Sequence, residues 1–194
     1  MNFSILLFDN FETLDVFGPV EVIGRLSQAY QMEFYSESGG LVRSSQGVRT
    51  DTLPLTTLRD PGILFIPGGF GIRSEINNPG LIKSITVLSE QAEFVLTVCT
   101  GSAMLAKTGL LNGRQATSNK MSFDWVAEQS PDVRWIRKAR WLKDGKYYTS
   151  SGVSAGIDMT LGWVSDVQGR ETAQFIARSI EYIWNEDPSE DPFA

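Results

Sequence analysis

Short apolar runs alternate with segments of helical spacing along almost the whole chain. Phe3 to Phe8 is an apolar run of strand length, and from Asp15 to Tyr30 the residues Val16, Val20, Ile23 and Leu26 recur at helical intervals. Gln31 to Tyr35 predicts a second strand, and Gly39-Gly40 after it a hairpin turn. Gly62 to Gly69 predicts a buried strand ending in a flexible turn. Pro79 to Glu90 predicts a helix, with Pro79 where a first turn tolerates a missing N–H. The β-branched run Phe94 to Val98 predicts another buried strand, and the small residues after it open a helix that ends near Gly109.

The second half continues the alternation. Arg114 to Ser118 predicts a strand, Met121 to Gln129 a short helix, and Arg134 to Trp141 strand residues with an alternating charged face. Asp144-Gly145, between the extended stretches Ala139 to Lys143 and Lys146 to Ser150, is a hairpin signal. Ser154 to Val167 and Thr172 to Trp184 predict the last helices, and the acidic stretch from about 185 predicts little regular structure. This order implies an α/β sandwich around a mainly parallel sheet, as one domain over residues 1–194. Ligands of such sheets bind at the carboxyl ends of the strands. The residues after strand one (Asp9 to Asp15), Gly68-Gly69 and Cys99 are therefore expected to converge.

Composition narrows the function. The 194 residues are 42% hydrophobic and 21% charged, with a formal charge of -6. No Lys/Arg stripe exists to neutralise phosphates, so no nucleic-acid partner is expected. The amino terminus lacks the features of a signal peptide, and no apolar run approaches the roughly 20 residues of a membrane span. The expectation is a cytoplasmic protein without a membrane partner. With one cysteine and no histidine, neither an internal disulfide nor a transition-metal site is expected, and no cofactor is implied.

Cys99 lies where the strand Phe94 to Val98 turns into a helix, the position of a nucleophile in the strand-to-helix elbow of α/β enzymes. Helix-start N–H groups favour a thiolate, which predicts a depressed thiol pKa. The absence of histidine excludes a Cys–His dyad within one chain, and with it most protease and amidotransferase readings. A carboxyl group is then the natural proton carrier. Asp15 is one candidate, although it also suits a helix N-cap. Glu12 is its competitor. Gly68-Gly69-Phe70-Gly71 lacks the spacing of a nucleotide loop; its backbone can instead donate N–H groups to a reacting centre, or form a plain tight turn. Thr100 places a hydroxyl beside the thiol. Asp158 suits a charge at a helix start rather than a catalyst.

Together these segments resemble the ThiJ/PfpI superfamily with its class I glutamine amidotransferase-like fold. The resemblance rests on Asp15-Val16-Phe17-Gly18-Pro19, Ile66-Pro67-Gly68-Gly69-Phe70-Gly71, Val98-Cys99-Thr100-Gly101-Ser102, Gly109 to Thr117 and Ser151 to Asp158, in family order over nearly the whole chain. It implies a flavodoxin-like three-layer sandwich and a homodimer that takes a small-molecule substrate or ligand. Cys-Thr-Gly-Ser with an Asp in the first loop resembles the isonitrile hydratase branch and the ligand domain of AraC-type regulators. That implies catalytic roles for Asp15, Cys99 and Thr100, with Gly69 and Phe70 orienting substrate. Many relatives carry His where this chain has Asn119, a further position expected at the substrate. The implied reaction is cofactor-independent hydration of an isonitrile to a formamide, with Cys99 attacking the terminal carbon and Asp15 handling the proton. Alternatives are a ligand or redox sensor, and glyoxalase- or deglycase-like action on reactive carbonyls.

Overall fold

A computed structural model describes residues 1–194. In chain order the first elements are β1 (Asn2–Leu6), α1 (Thr13–Gly24), β2 (Gln31–Ser36), β3 (Gly40–Arg43), β4 (Arg49–Pro54), β5 (Ile63–Ile66), α2 (Ile72–Glu75), α3 (Pro79–Gln91), β6 (Phe94–Thr97) and α4 (Gly101–Lys107). There follow β7 (Gln115–Ala116), α5 (Phe123–Gln129), β8 (Arg134–Trp135), β9 (Trp141–Asp144), β10 (Tyr147–Ser150), α6 (Ala155–Gln168) and α7 (Arg170–Ser179). The main sheet has eight strands in the order β3-β4-β2-β1-β5-β6-β10-β9. Its inner pairs are parallel, and only the edge strands β3 and β9 run antiparallel to their neighbours. This is the α/β sandwich around a mainly parallel sheet that the alternation implies, in the flavodoxin-like three-layer form that the resemblance implies.

A strand covered on both faces must be apolar throughout, and β5 meets that demand: Ile63, Leu64, Phe65 and Ile66 are all buried. Helices α1, α6 and α7 pack together, while α2, α3 and α5 gather around α4. Trp163 of α6 is fully buried and meets Phe3, Tyr30 and Phe94 edge-on, tying the helix to β1 and β6. Strands β1, β5 and β6 thus end side by side at one edge, where the loops after them meet.

Some expected elements differ. Gly39 and Gly40 have φ of 73° and 85° but do not form a hairpin between β2 and β3. They swing the chain outward, so that β3 pairs with β4 and β4 inserts beside β2. Arg114 to Ser118 contributes only the two-residue β7, which pairs with β8 outside the main sheet. The charged stretch Arg134 to Trp141 is mostly not strand, because its cations turn to separate partners. Arg137 stacks on Phe123 and pairs with Asp124, and Arg140 is buried against Asp158. Helix α7 stops at Ser179, since Tyr182 and Trp184 leave it to donate hydrogen bonds to Asp158. The tail is irregular but docked. Arg140 N–H donates to the Pro188 carbonyl, Asp191 N–H donates to the Lys138 carbonyl, and the Asp191 side chain is buried beside Lys120 and Arg140.

Candidate active site at the carboxyl edge of the sheet

Cys99 occupies the joint between β6 and α4 with φ at 57°, a left-handed conformation unusual for any residue but glycine. Such backbone persists only where its surroundings over-determine it, and here both its polar groups are engaged. The Cys99 N–H donates to the Ser151 carbonyl at 3.2 Å, and the Cys99 carbonyl accepts from the hydroxyls of Ser102 at 3.0 Å and Ser118 at 2.9 Å. Two glycines let the chain close around the elbow. A Cβ on Gly68 would stand 2.6 Å from Thr100 N, and one on Gly101 would stand 2.4 Å from the Ile66 carbonyl oxygen.

Asp15 lies in the first turn of α1 and is 0% exposed. It is not the N-cap; Glu12 holds that position. Its Oδ2 accepts the Gly68 N–H at 2.9 Å, while its buried Oδ1 has no partner at normal hydrogen-bond distance. Burial raises the carboxyl to a pKa of about 7, and the nearby Glu12 charge adds to the rise. The Gly68 N–H, the Cys99 thiol and the Val153 N–H act against it, since each donates toward the charged form. Asp15 is therefore a carboxyl that holds or releases a proton near neutrality.

The thiol behaves opposite to the sequence expectation. Burial, followed by the Asp15 charge, pushes Cys99 far above an ordinary thiol. The Thr100 N–H and hydroxyl and the Val153 N–H favour the thiolate, but at 6% exposure the desolvation cost exceeds them. At rest the pair is a neutral thiol facing a carboxyl of about pKa 7.

The backbone donors of the glycine loop are distributed differently from expectation as well. Gly68 N–H is spent on Asp15, and Gly69 N–H donates to Thr100 Oγ1 at 3.2 Å. Gly69 therefore orients the Thr100 hydroxyl instead of facing substrate. The Phe70 N–H makes no hydrogen bond within the protein. It is the donor that this loop keeps free.

A cavity of about 300 Å³ opens over these groups. Cys99 and Thr100 form its buried floor, and Val153, whose φ is 46°, stands beside them. Its sides and rim are Glu12, Gly69, Phe70, Arg73, Asn119, Met121 and Ser122. Asn119 Oδ1 accepts the Ser122 N–H at 3.1 Å, which turns the side-chain amide N–H groups away from that bond. Glu12 Oε1 is held by Gln46 Nε2 at 2.8 Å.

The DJ-1/PfpI family profile matches residues 1–166. The chain belongs to the DJ-1/PfpI family. Among its relatives in this family, the isonitrile hydratase of Pseudomonas putida is 32% identical over 186 residues, covering 94% of this chain and 78% of the relative. The transcriptional regulator CdhR of Pseudomonas aeruginosa is 28% identical and covers 89% of this chain, which spans 52% of the regulator. The crystal structure of a ThiJ/PfpI family protein from Pseudomonas syringae superposes with a TM-score of 0.85 at 27% identity, covering 96% of this chain and 76% of that one.

In this DJ-1/PfpI chain the structure brings Asp15, Cys99, Thr100, Gly69, Phe70 and Asn119 to one cavity or its immediate wall. Asp158 stays apart, as expected of a residue without a catalytic role. It is fully buried, accepting from Arg140 Nε at 2.6 Å, Tyr182 Oη at 3.1 Å and Asn185 N–H at 2.9 Å. Sequence reasoning missed Val153, Arg73, Met121 and Ser122. For Val153 the signal was the small-residue run around it, which marked a close approach without showing that a β-branched residue adopts positive φ. Arg73 lay just past the glycine loop, in a helix too short to read.

Proposed function

We propose that this protein hydrates an isonitrile, R–NC, to the N-substituted formamide R–NH–CHO. The observation that carries the reading is the buried Asp15–Cys99 pair. It needs no histidine, and it holds one transferable proton between a thiol and a carboxyl tuned to about 7. The 32% identity to an isonitrile hydratase over 94% of the chain supports it.

The chemistry follows from that proton. With Asp15 ionised and Cys99 neutral, the carboxylate removes the thiol proton as sulfur bonds to the terminal isonitrile carbon. Asp15 then delivers the proton to that carbon, giving the thioformimidate Cys99-S–CH=N–R. Water adds to the same carbon. Asp15 takes a proton from the water and passes it to nitrogen. The C–S bond then breaks as the carbonyl forms, and the hydroxyl proton returns to sulfur. The sum is R–NC plus water giving the formamide, with both side chains restored. The Thr100 hydroxyl and the free Phe70 N–H stabilise charge developing on nitrogen. Formamide formation from simple alkyl and aryl isonitriles, followed by chromatography, tests the reading.

The similarity to CdhR supports a second reading, in which the same cavity binds a small ligand without transforming it. Saturable binding with unchanged ligand would select it. Carbonyl chemistry that relies on a Glu beside the thiol fits less well, because Gln46 draws Glu12 aside and Asp15 holds the place next to sulfur.

A further inference from the structure

The cavity has a charged wall that the hydration chemistry does not use. Arg73 lines it from α2, which follows the glycine loop directly. The guanidinium carbon sits 3.6 Å from the centroid of the Trp125 ring on α5, so the group is held flat by a cation–π stack. It forms no ion pair, and no side-chain or backbone acceptor takes its N–H groups. Its backbone is fixed too, since Ile72 is fully buried and Gly71 N–H donates to the Asn10 carbonyl at 3.1 Å. Arg73 is the cavity's only cation. Its only anion, Glu12, is engaged by Gln46.

The neighbouring polar groups are also donors. Asn119 has its oxygen occupied and its amide N–H groups uncommitted, and the Ser122 hydroxyl makes no bond within the protein. A planar guanidinium with two further donors, above a floor that ends in a thiol, matches a carboxylate at one end of a short molecule and a reactive carbon at the other. Phe70, Met121 and Val153 supply apolar contact for the part between. We propose that Arg73 determines specificity in this cavity and that the substituent of its isonitrile carries a carboxylate. The identity of the reactive group rests on the hydratase reading, while the anion subsite does not.

The test uses Cys99, the only cysteine, as its own reporter. Iodoacetate and iodoacetamide deliver the same carbon to sulfur and differ in one charge. Alkylation rates are measured by intact mass on the full chain, in wild type, Arg73→Gln, Arg73→Lys and Trp125→Leu. The iodoacetate-to-iodoacetamide ratio is expected to fall roughly tenfold in Arg73→Gln, about the worth of one charge-assisted hydrogen bond. Arg73→Lys should fall between the two, because lysine keeps the charge without the fork. Trp125→Leu should lower the ratio by freeing the guanidinium. In parallel, an isocyanoalkanoate and its methyl ester are compared as substrates, with kcat/KM for the acid expected to be higher in wild type and the preference lost in Arg73→Gln. An unchanged alkylation ratio, or no labelling by either reagent, overturns the proposal. An Arg73-dependent ratio without turnover of any isonitrile keeps the anion subsite and removes the hydratase reading. Turnover without charge preference does the reverse.

Discussion

The Asp15 carboxyl, whose charge raises the Cys99 thiol, accepts the Gly68 N–H on its Oδ2 at 2.9 Å. Residues from α1, the loop after β5 and the end of β6 are thereby joined in one proton-holding unit. Because the two groups titrate as a pair, a thiol with a carboxylate and a thiolate with a carboxylic acid are the same protonation state. In the proposed hydration that singly protonated state is the competent one. It forms as Asp15 ionises near pH 7 and persists until the raised thiol ionises. For hydration, kcat/KM should rise through about pH 7 to a plateau on the alkaline side, and the limb near 7 should vanish in Asp15→Asn. A pH–rate profile of both proteins checks this.

Asp15 also costs the fold stability. Its folded pKa is raised from 3.8 to about 7, so between these values the folded chain binds more protons than the unfolded one. Stability contributed by this site is full below 3.8 and is lost as pH rises through about 7. Asp15→Asn should therefore melt higher than wild type at pH 8, by roughly 1 kcal/mol or more, while losing turnover by about a hundredfold or more. Thermal melts at pH 5 and pH 8 should show the advantage of the variant growing with pH.

The Thr100 hydroxyl accepts from Gly69 N–H and has its own proton to offer the cavity. Thr100→Val keeps the shape but leaves the Gly69 donor without a partner. The expected loss in kcat is roughly tenfold to a hundredfold, with a stability change of about 1 kcal/mol. Thr100→Ser should recover most of the rate. Steady-state kinetics beside denaturant melts separate the two effects.

Asp158 offers the opposite pattern. It is a buried carboxylate that satisfies Arg140, Tyr182 and the Asn185 N–H, and it does not line the cavity over Cys99. Removing one partner of a buried ion pair leaves the other uncompensated, so Asp158→Ala should destabilise the protein by about 3–5 kcal/mol. Urea unfolding monitored by tryptophan fluorescence measures it. Because Trp184 Nε1 donates to the Asp158 carbonyl, the loosened tail should also show in the native emission.

Much of the layout was legible because pattern and packing agree in the core. β1, β5 and β6 read as apolar runs, and Asp144-Gly145 correctly announced the β9–β10 hairpin. β3 and β4 were missed. β3 forms the sheet's edge and β4 lies beside it, with exposed polar residues such as Arg49 and Asp51, where burial imposes no apolar alternation. At the site, Cys99, Asp15 and Thr100 were legible because strand ends fix where loops converge. What the sequence left hidden depends on distances. The use of the Gly68 and Gly69 N–H groups, the upward shift of the thiol by burial and the stacking of Arg73 on Trp125 all arise between segments remote in the chain.

The most direct test of the proposed chemistry is formamide formation by purified, reduced wild type beside Cys99→Ala, with a panel of alkyl, aryl and carboxylated isonitriles. The account predicts turnover by wild type, none above background from the folded variant, and a mass increase on wild type equal to the isonitrile when the reaction is quenched early. Equal turnover by a folded Cys99→Ala protein would contradict the covalent route through sulfur. No turnover of any isonitrile by wild type would contradict the hydratase reading and leave the cavity as a ligand-binding site.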